Sequence, residues 1–108
     1  DSVNAFALLF PNELSGREAL LDLFSLITKF DCTSMITYEQ DSDIKEHKST
    51  FIEFEVDSIM LMYNYLKGNV RRRIFEILKM RGTKFEEKLI PIKIKERGIV
   101  LYPEENVI

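Results

Sequence analysis

Apolar residues recur at helical spacing most clearly in one stretch, SGREALLDLFSLITKF, where Leu20, Leu23, Phe24, Ile27 and Phe30 share a stripe and Asp22, Ser25 and Lys29 lie away from it. Ser15 and Glu18 stand three apart ahead of that stripe, the spacing of a capping box, and predict a helix beginning at Ser15. Leu21 and Leu26 widen the apolar side, as suits a helix laid against a sheet. Residues 32–38, CTSMITY, then read as a short buried strand centred on Ser34 to Tyr38.

The polar run EQDSDIKEHKST, Glu39 to Thr50, has no periodicity and reads as a mobile connection. FIEFEV holds a brief helical turn, and a strand starts near Ser58, where the continuous apolar run predicts burial on both faces. KGN at Lys67 to Asn69 has tight-turn chemistry, so RRRIFEILKMR returns antiparallel. Short strands around Leu89 to Lys95 and Ile99 to Tyr102 are joined by ERG, with Gly98 available for positive φ, and Pro103 ends the last. The order is α/β running into an antiparallel β meander, with no repeat and no linker that would split residues 1–108 into more than a single domain.

Composition narrows the chemistry. The 108 residues are 45% hydrophobic and 31% charged, which fits a soluble globular domain. A net charge of -3 gives no overall field to recruit nucleic acid or an anionic membrane, so the cations matter by position. One cysteine, Cys32, and one histidine, His47, leave no internal disulfide and no Cys/His zinc set; a metal would need carboxylates. No apolar run approaches the roughly 20 residues of a membrane span and no leader is evident, so the expectation is a cytoplasmic chain. In the Arg71 to Arg73 run only Arg71 and Arg73 share a strand face, without interleaved aromatics for base stacking, so a solvated or interface hairpin is the better reading than nucleic-acid binding.

The candidate chemistry sits in EILKMRGT. Lys79 and Arg81, two apart on a strand, leave one face together and call for an anionic partner, and Gly82 lets the backbone turn sharply behind them. The plainer reading is a solvated strand end paired to Glu86 or Glu87.

The run from Asp57 to Pro103, with its buried strand, basic hairpin, EILK-x-RGT strand end and GI-x-x-x-P finish, resembles the C-terminal part of the KaiC-like branch of RecA-superfamily ATPases. DSVNAF resembles the Walker B aspartate and the residues after it, and REALLDLFSLITKF followed by TSMITYEQ resembles the next helix and strand, so the likeness spans nearly the whole chain. It implies the C-terminal half of a RecA-like P-loop ATPase core that uses ATP and Mg2+. Lys79 and Arg81 would reach a neighbouring protomer's nucleotide in a ring as trans-acting fingers, with Thr37, Gly82 and Thr83 contributing nucleotide contacts. Asp1 would orient a magnesium-bound water beside Ser2. Thr37, Glu39 and Gln40 would stand where the family puts a polar sensor, and the Asp41 to Thr50 loop, with His47, would line the ring's pore.

Several departures accompany the likeness. TYEQ replaces the TTE common in the family, and Phe85 holds a place where it often has histidine. The four glycines form no Walker A loop, and the family's catalytic glutamate is absent. The strand feeding that loop would lie between the strands near 34–38 and 58–66, so their facing edges would be left open. A lone fragment of this kind should not turn over ATP. Two alternatives are a noncatalytic module that dimerises through the open sheet edge, and a recombinase-related nucleic-acid-binding module.

Overall fold

The computed structural model describes residues 2–41, 44 and 50–107. Asp1, His47 and most of the expected pore loop lie outside the described residues. The chain forms two compact units, Asp1–Glu55 and Val56–Ile108.

In the first unit a short helix α1 (Asn4–Ala7) precedes the main helix α2 (Glu13–Ile27). The helix start differs from the expectation. Asn12, extended at φ -148° and ψ 170° after Pro11, is the N-cap, and Ser15 is the third helical residue. The Asn12 side chain accepts from the Ser15 amide at 2.8 Å, while Ser15 Oγ accepts the Asn12 amide at 3.4 Å. The capping box is thus real but shifted three residues toward the N-terminus, because asparagine caps at least as well as serine. Leu20 and Phe24 are buried as the stripe predicts, with Gly16 beneath α1, whereas Leu26 and Phe30 stay exposed. A Cβ on Gly16 would come within 2.9 Å of the Ala7 carbonyl oxygen, so the glycine permits the close crossing of the two helices.

The strand expected at Ser34 to Tyr38 is not formed. The segment has no regular secondary structure and is held by single hydrogen bonds instead of a ladder: the Val3 amide donates to the Thr37 carbonyl at 2.7 Å, and Asn4 holds Glu39. A strand is defined by a partner running alongside it, and a propensity for extended backbone does not supply one. The brief helical turn is a 3₁₀ turn (Phe51–Phe54), closed by a Thr50–Glu53 capping box.

The second unit is a four-stranded antiparallel meander in the order β1 (Ser58–Lys67), β2 (Val70–Met80), β3 (Ile90–Lys95) and β4 (Gly98–Leu101). Its turns follow the local chemistry. Gly68 (φ 62°) with Asn69 at negative φ has the pattern of a type II′ hairpin turn. β1 is an edge strand, and its burial alternates, which corrects the expectation of burial on both faces. Ile59, Leu61, Tyr63 and Tyr65 are half-buried, but Met60, Met62 and Leu66 are 49%, 59% and 57% exposed. An apolar run records what the chain has available to bury, and only neighbouring elements decide how much is covered. Ile74, Ile90 and Ile92 form the buried centre, with Ile74 1% exposed.

Candidate functional site

The β1–β2 ribbon ends in a cationic turn whose geometry depends on one extra residue. Pairing runs regularly from Lys67↔Val70 to Met60↔Ile77, then shifts so that Ile59 faces Lys79 and Ser58 faces Met80. Leu78 is therefore bulged out, a device that re-aims the side chains after it. Directly opposed residues share a sheet face, so Lys79 joins Ile59 on the half-buried side. Past the strand end, the Arg81 amide donates to the Asp57 carbonyl at 2.9 Å, which continues the shifted register by one step.

The turn itself closes through the Thr83 amide, which donates to the Met80 carbonyl at 3.3 Å. Gly82 has φ 73° and Arg81 a negative φ, the type II pattern that calls for glycine at the third position. Nothing lies within 4 Å of a Cβ built on Gly82, so backbone conformation, not crowding, selects it.

Arg81 is neither bare nor paired to Glu86 or Glu87. Its Nη1 donates to Oδ1 of Asp57 at 2.8 Å, with the two side chains 65% and 82% exposed. An ion pair this wet contributes about 0–1 kcal/mol, so it orients the guanidinium more than it holds the fold together.

Farther along the same face, Tyr63 Oη donates to Glu76 Oε1 at 2.8 Å. Burial, reinforced by the Glu76 carboxylate, pushes the Tyr63 phenol up to about 12.

In the first unit, the structure brings together two stretches the sequence kept apart. Val3 bonds to Thr37, and the Asn4 side chain both donates to the Glu39 carbonyl (2.7 Å) and accepts the Glu39 amide (2.6 Å). Thr37 and Glu39 are thereby anchored beside Ser2, whose carbonyl starts α1 by accepting from the Ala5 amide. Asn4 was missed by sequence reasoning. Its amide is donor and acceptor at once and so imitates a peptide unit, but nothing local in DSVNAF points to a partner 35 positions away. An open groove of about 440 Å³ between α1, α2 and Phe51 is lined by residues including Leu8, Gly16 and Arg17, and by neither Ser2 nor Thr37.

Among the described residues no three His, Cys, Asp or Glu side chains are grouped to hold a metal, and no helix is long and apolar enough to cross a membrane.

Helices followed by an antiparallel four-stranded meander make an α/β protein, and comparison with known proteins places it with the KaiC-like proteins of RecA fold. A family profile described as "ATPase: KaiC" matches residues 1–106. The chain belongs to the KaiC-like ATPase family.

Among curated relatives, the circadian clock oscillator protein KaiC of Synechococcus elongatus is 30% identical over 107 residues, covering 95% of this chain and 20% of that protein. A UPF0273 protein of Thermotoga maritima is 28% identical over 107 residues, covering 98% of this chain and 43% of its own length. The crystal structure of a KaiC-like protein from Pyrococcus horikoshii superposes with a TM-score of 0.80 at 29% identity, covering 95% of this chain and 45% of that one. The chain thus spans between a fifth and a half of the length of these relatives.

Proposed function

We propose that residues 1–108 form the C-terminal part of a single RecA-like ATPase domain, beginning at the Walker B aspartate Asp1, whose ribbon end acts in trans on a nucleotide held by a neighbouring protomer. The observation that carries this reading is the bulged, glycine-closed turn from Lys79 to Thr83, in a chain of the KaiC-like ATPase family.

Lys79 and Arg81 present fixed positive charge at the end of a stiff two-stranded ribbon. Such charge is most effective where it is positioned before the reaction, because no reorganisation is then needed as charge builds on the γ-phosphoryl oxygens. The Gly82 and Thr83 backbone lets phosphate oxygens approach closely, with no side chain at the turn's third position. In the first unit Thr37 is the polar group at the place of the family's sensor, anchored through Val3 and Asn4.

Asp1 and Ser2 offer a carboxylate and a hydroxyl, the hard oxygen donors magnesium takes. When bound, magnesium would neutralise charge on the nucleotide's β- and γ-phosphates. The phosphate-cradling loop and the base belong to chain outside these residues. ATP is the nucleotide in this reading, and the assembly is a ring of identical protomers in the cytoplasm.

The test is ATP hydrolysis by the full-length protein carrying Arg81→Ala. Turnover should fall by about three orders of magnitude, the range seen when a trans arginine is lost, with nucleotide binding largely kept. Unchanged turnover would remove the mechanism.

A second reading, a noncatalytic module pairing copies through β1, is favoured by the exposed Met60, Met62 and Leu66 on an edge strand. Light scattering separates the two: a well-folded dimer of the 108-residue chain, independent of concentration, would support this reading over the first.

A further inference from the structure

Asp57 immediately precedes β1 and is bound to Arg81 twice, carbonyl to amide at 2.9 Å and carboxylate Oδ1 to Nη1 at 2.8 Å. The bulge makes this match. Carried on unshifted, the register that pairs Met60 with Ile77 would bring Met80 opposite Asp57 and leave Arg81 facing Val56. With Leu78 inserted, Met80 faces Ser58 and Arg81 falls opposite the carboxylate. An irregularity in the ladder thus exchanges an apolar neighbour for an acidic one at the ribbon's end.

We propose that Asp57 is the positioning residue of Arg81: it fixes the guanidinium at the ribbon end in the orientation from which it receives a polyphosphate anion. This rests on the phosphate-facing role of Arg81 proposed above. The carboxylate engages Nη1, which leaves the donors on Nη2 and Nε for phosphate oxygens.

Two effects oppose each other here. A free arginine side chain has large rotamer freedom to lose on meeting a ligand, and the bond to Asp57 has already restricted it. Repulsion between the carboxylate and the anion acts the other way, but at a pair 65% and 82% exposed it is screened by water and salt. Orientation is the larger effect, so removing Asp57 weakens anion capture.

The test needs no turnover. Full-length protein is treated with phenylglyoxal, modification of Arg81 is followed by peptide mass spectrometry, and inorganic tripolyphosphate is the protecting probe. For Asp57→Ala the half-protecting concentration should rise about five-fold, and Asp57→Asn, whose side-chain oxygen still accepts from Nη1, should return it to within about two-fold of the parent. Asp57 is 82% exposed, so neither variant threatens folding, which circular dichroism verifies.

The inference is overturned by protection unchanged or strengthened in Asp57→Ala, by a loss that Asp57→Asn does not restore, or by no protection of Arg81 in the parent protein. Its failure is distinct from that of the ATPase reading. Normal protection beside unimpaired hydrolysis by Arg81→Ala would sink the ATPase reading alone, whereas a silent Asp57→Ala beside an inactive Arg81→Ala would sink the positioning role alone.

Discussion

Asn4 grips the backbone of Glu39 with both ends of its amide, Nδ2 donating to the carbonyl at 2.7 Å and Oδ1 accepting the amide proton at 2.6 Å. The side chain thereby does for the Glu39 backbone what a neighbouring strand's peptide would do. Replacing it by alanine removes both bonds, and at about 0.5–1.5 kcal/mol net for each, Asn4→Ala should lower stability by about 1–3 kcal/mol. Denaturant unfolding gives the magnitude. Hydrogen exchange at the Glu39 amide gives the location, and an unchanged exchange rate there would show that the clamp carries no weight.

Gly16 should resist the substitution that helix propensity recommends. Alanine is better than glycine in a helix interior by about 1 kcal/mol. The added methyl would, however, meet the Ala7 carbonyl oxygen at 2.9 Å, a backbone atom that moves only with α1. Crowding of this kind costs about 1–3 kcal/mol, so Gly16→Ala should be net destabilising by thermal melting. A raised melting temperature would contradict the close helix crossing.

At Gly82 the cost comes from the backbone alone. With φ 73° and open space around the missing Cβ, Gly82→Ala should lose about 1–2 kcal/mol, and Gly82→Asn distinctly less, since asparagine tolerates the left-handed region. Equal losses for the two variants would point to a side-chain clash instead.

Tyr63 provides a test by pH. Its phenol, ordinarily at 10.0, is raised to about 12 in the fold by burial and by Glu76. The folded state therefore holds the proton more tightly than the unfolded chain. The contribution is fully present below pH 10.0 and is lost as pH rises through about 12. Unfolding followed across that window should show stability falling more steeply for the parent than for Tyr63→Phe. The phenylalanine variant should also be weaker at neutral pH by about 0.5–1.5 kcal/mol, through loss of the hydrogen bond. Parallel pH profiles for the two proteins would mean the tyrosine is not held by Glu76.

What the sequence determined by itself was whatever short-range chemistry decides. Gly68 and Gly98 marked turns that formed, the short strand read around Leu89 to Lys95 formed as Ile90–Lys95, and the order of a helix followed by an antiparallel meander came out as read. The colinear motifs also led to the family that the profile match shows. These features are legible because turn conformations and side-chain periodicity depend on residues a few positions apart.

The tertiary structure decided what depends on distant partners. Ser15 yielded the N-cap to Asn12; the segment around Thr37 formed no strand and is held by Val3 and Asn4; the apolar β1 run was covered on one side more than the other. Arg81 found Asp57, 24 positions earlier, because a bulge at Leu78 moved it there. Register and burial are set by whichever chain lies alongside, and a residue's own neighbours in sequence carry no record of that.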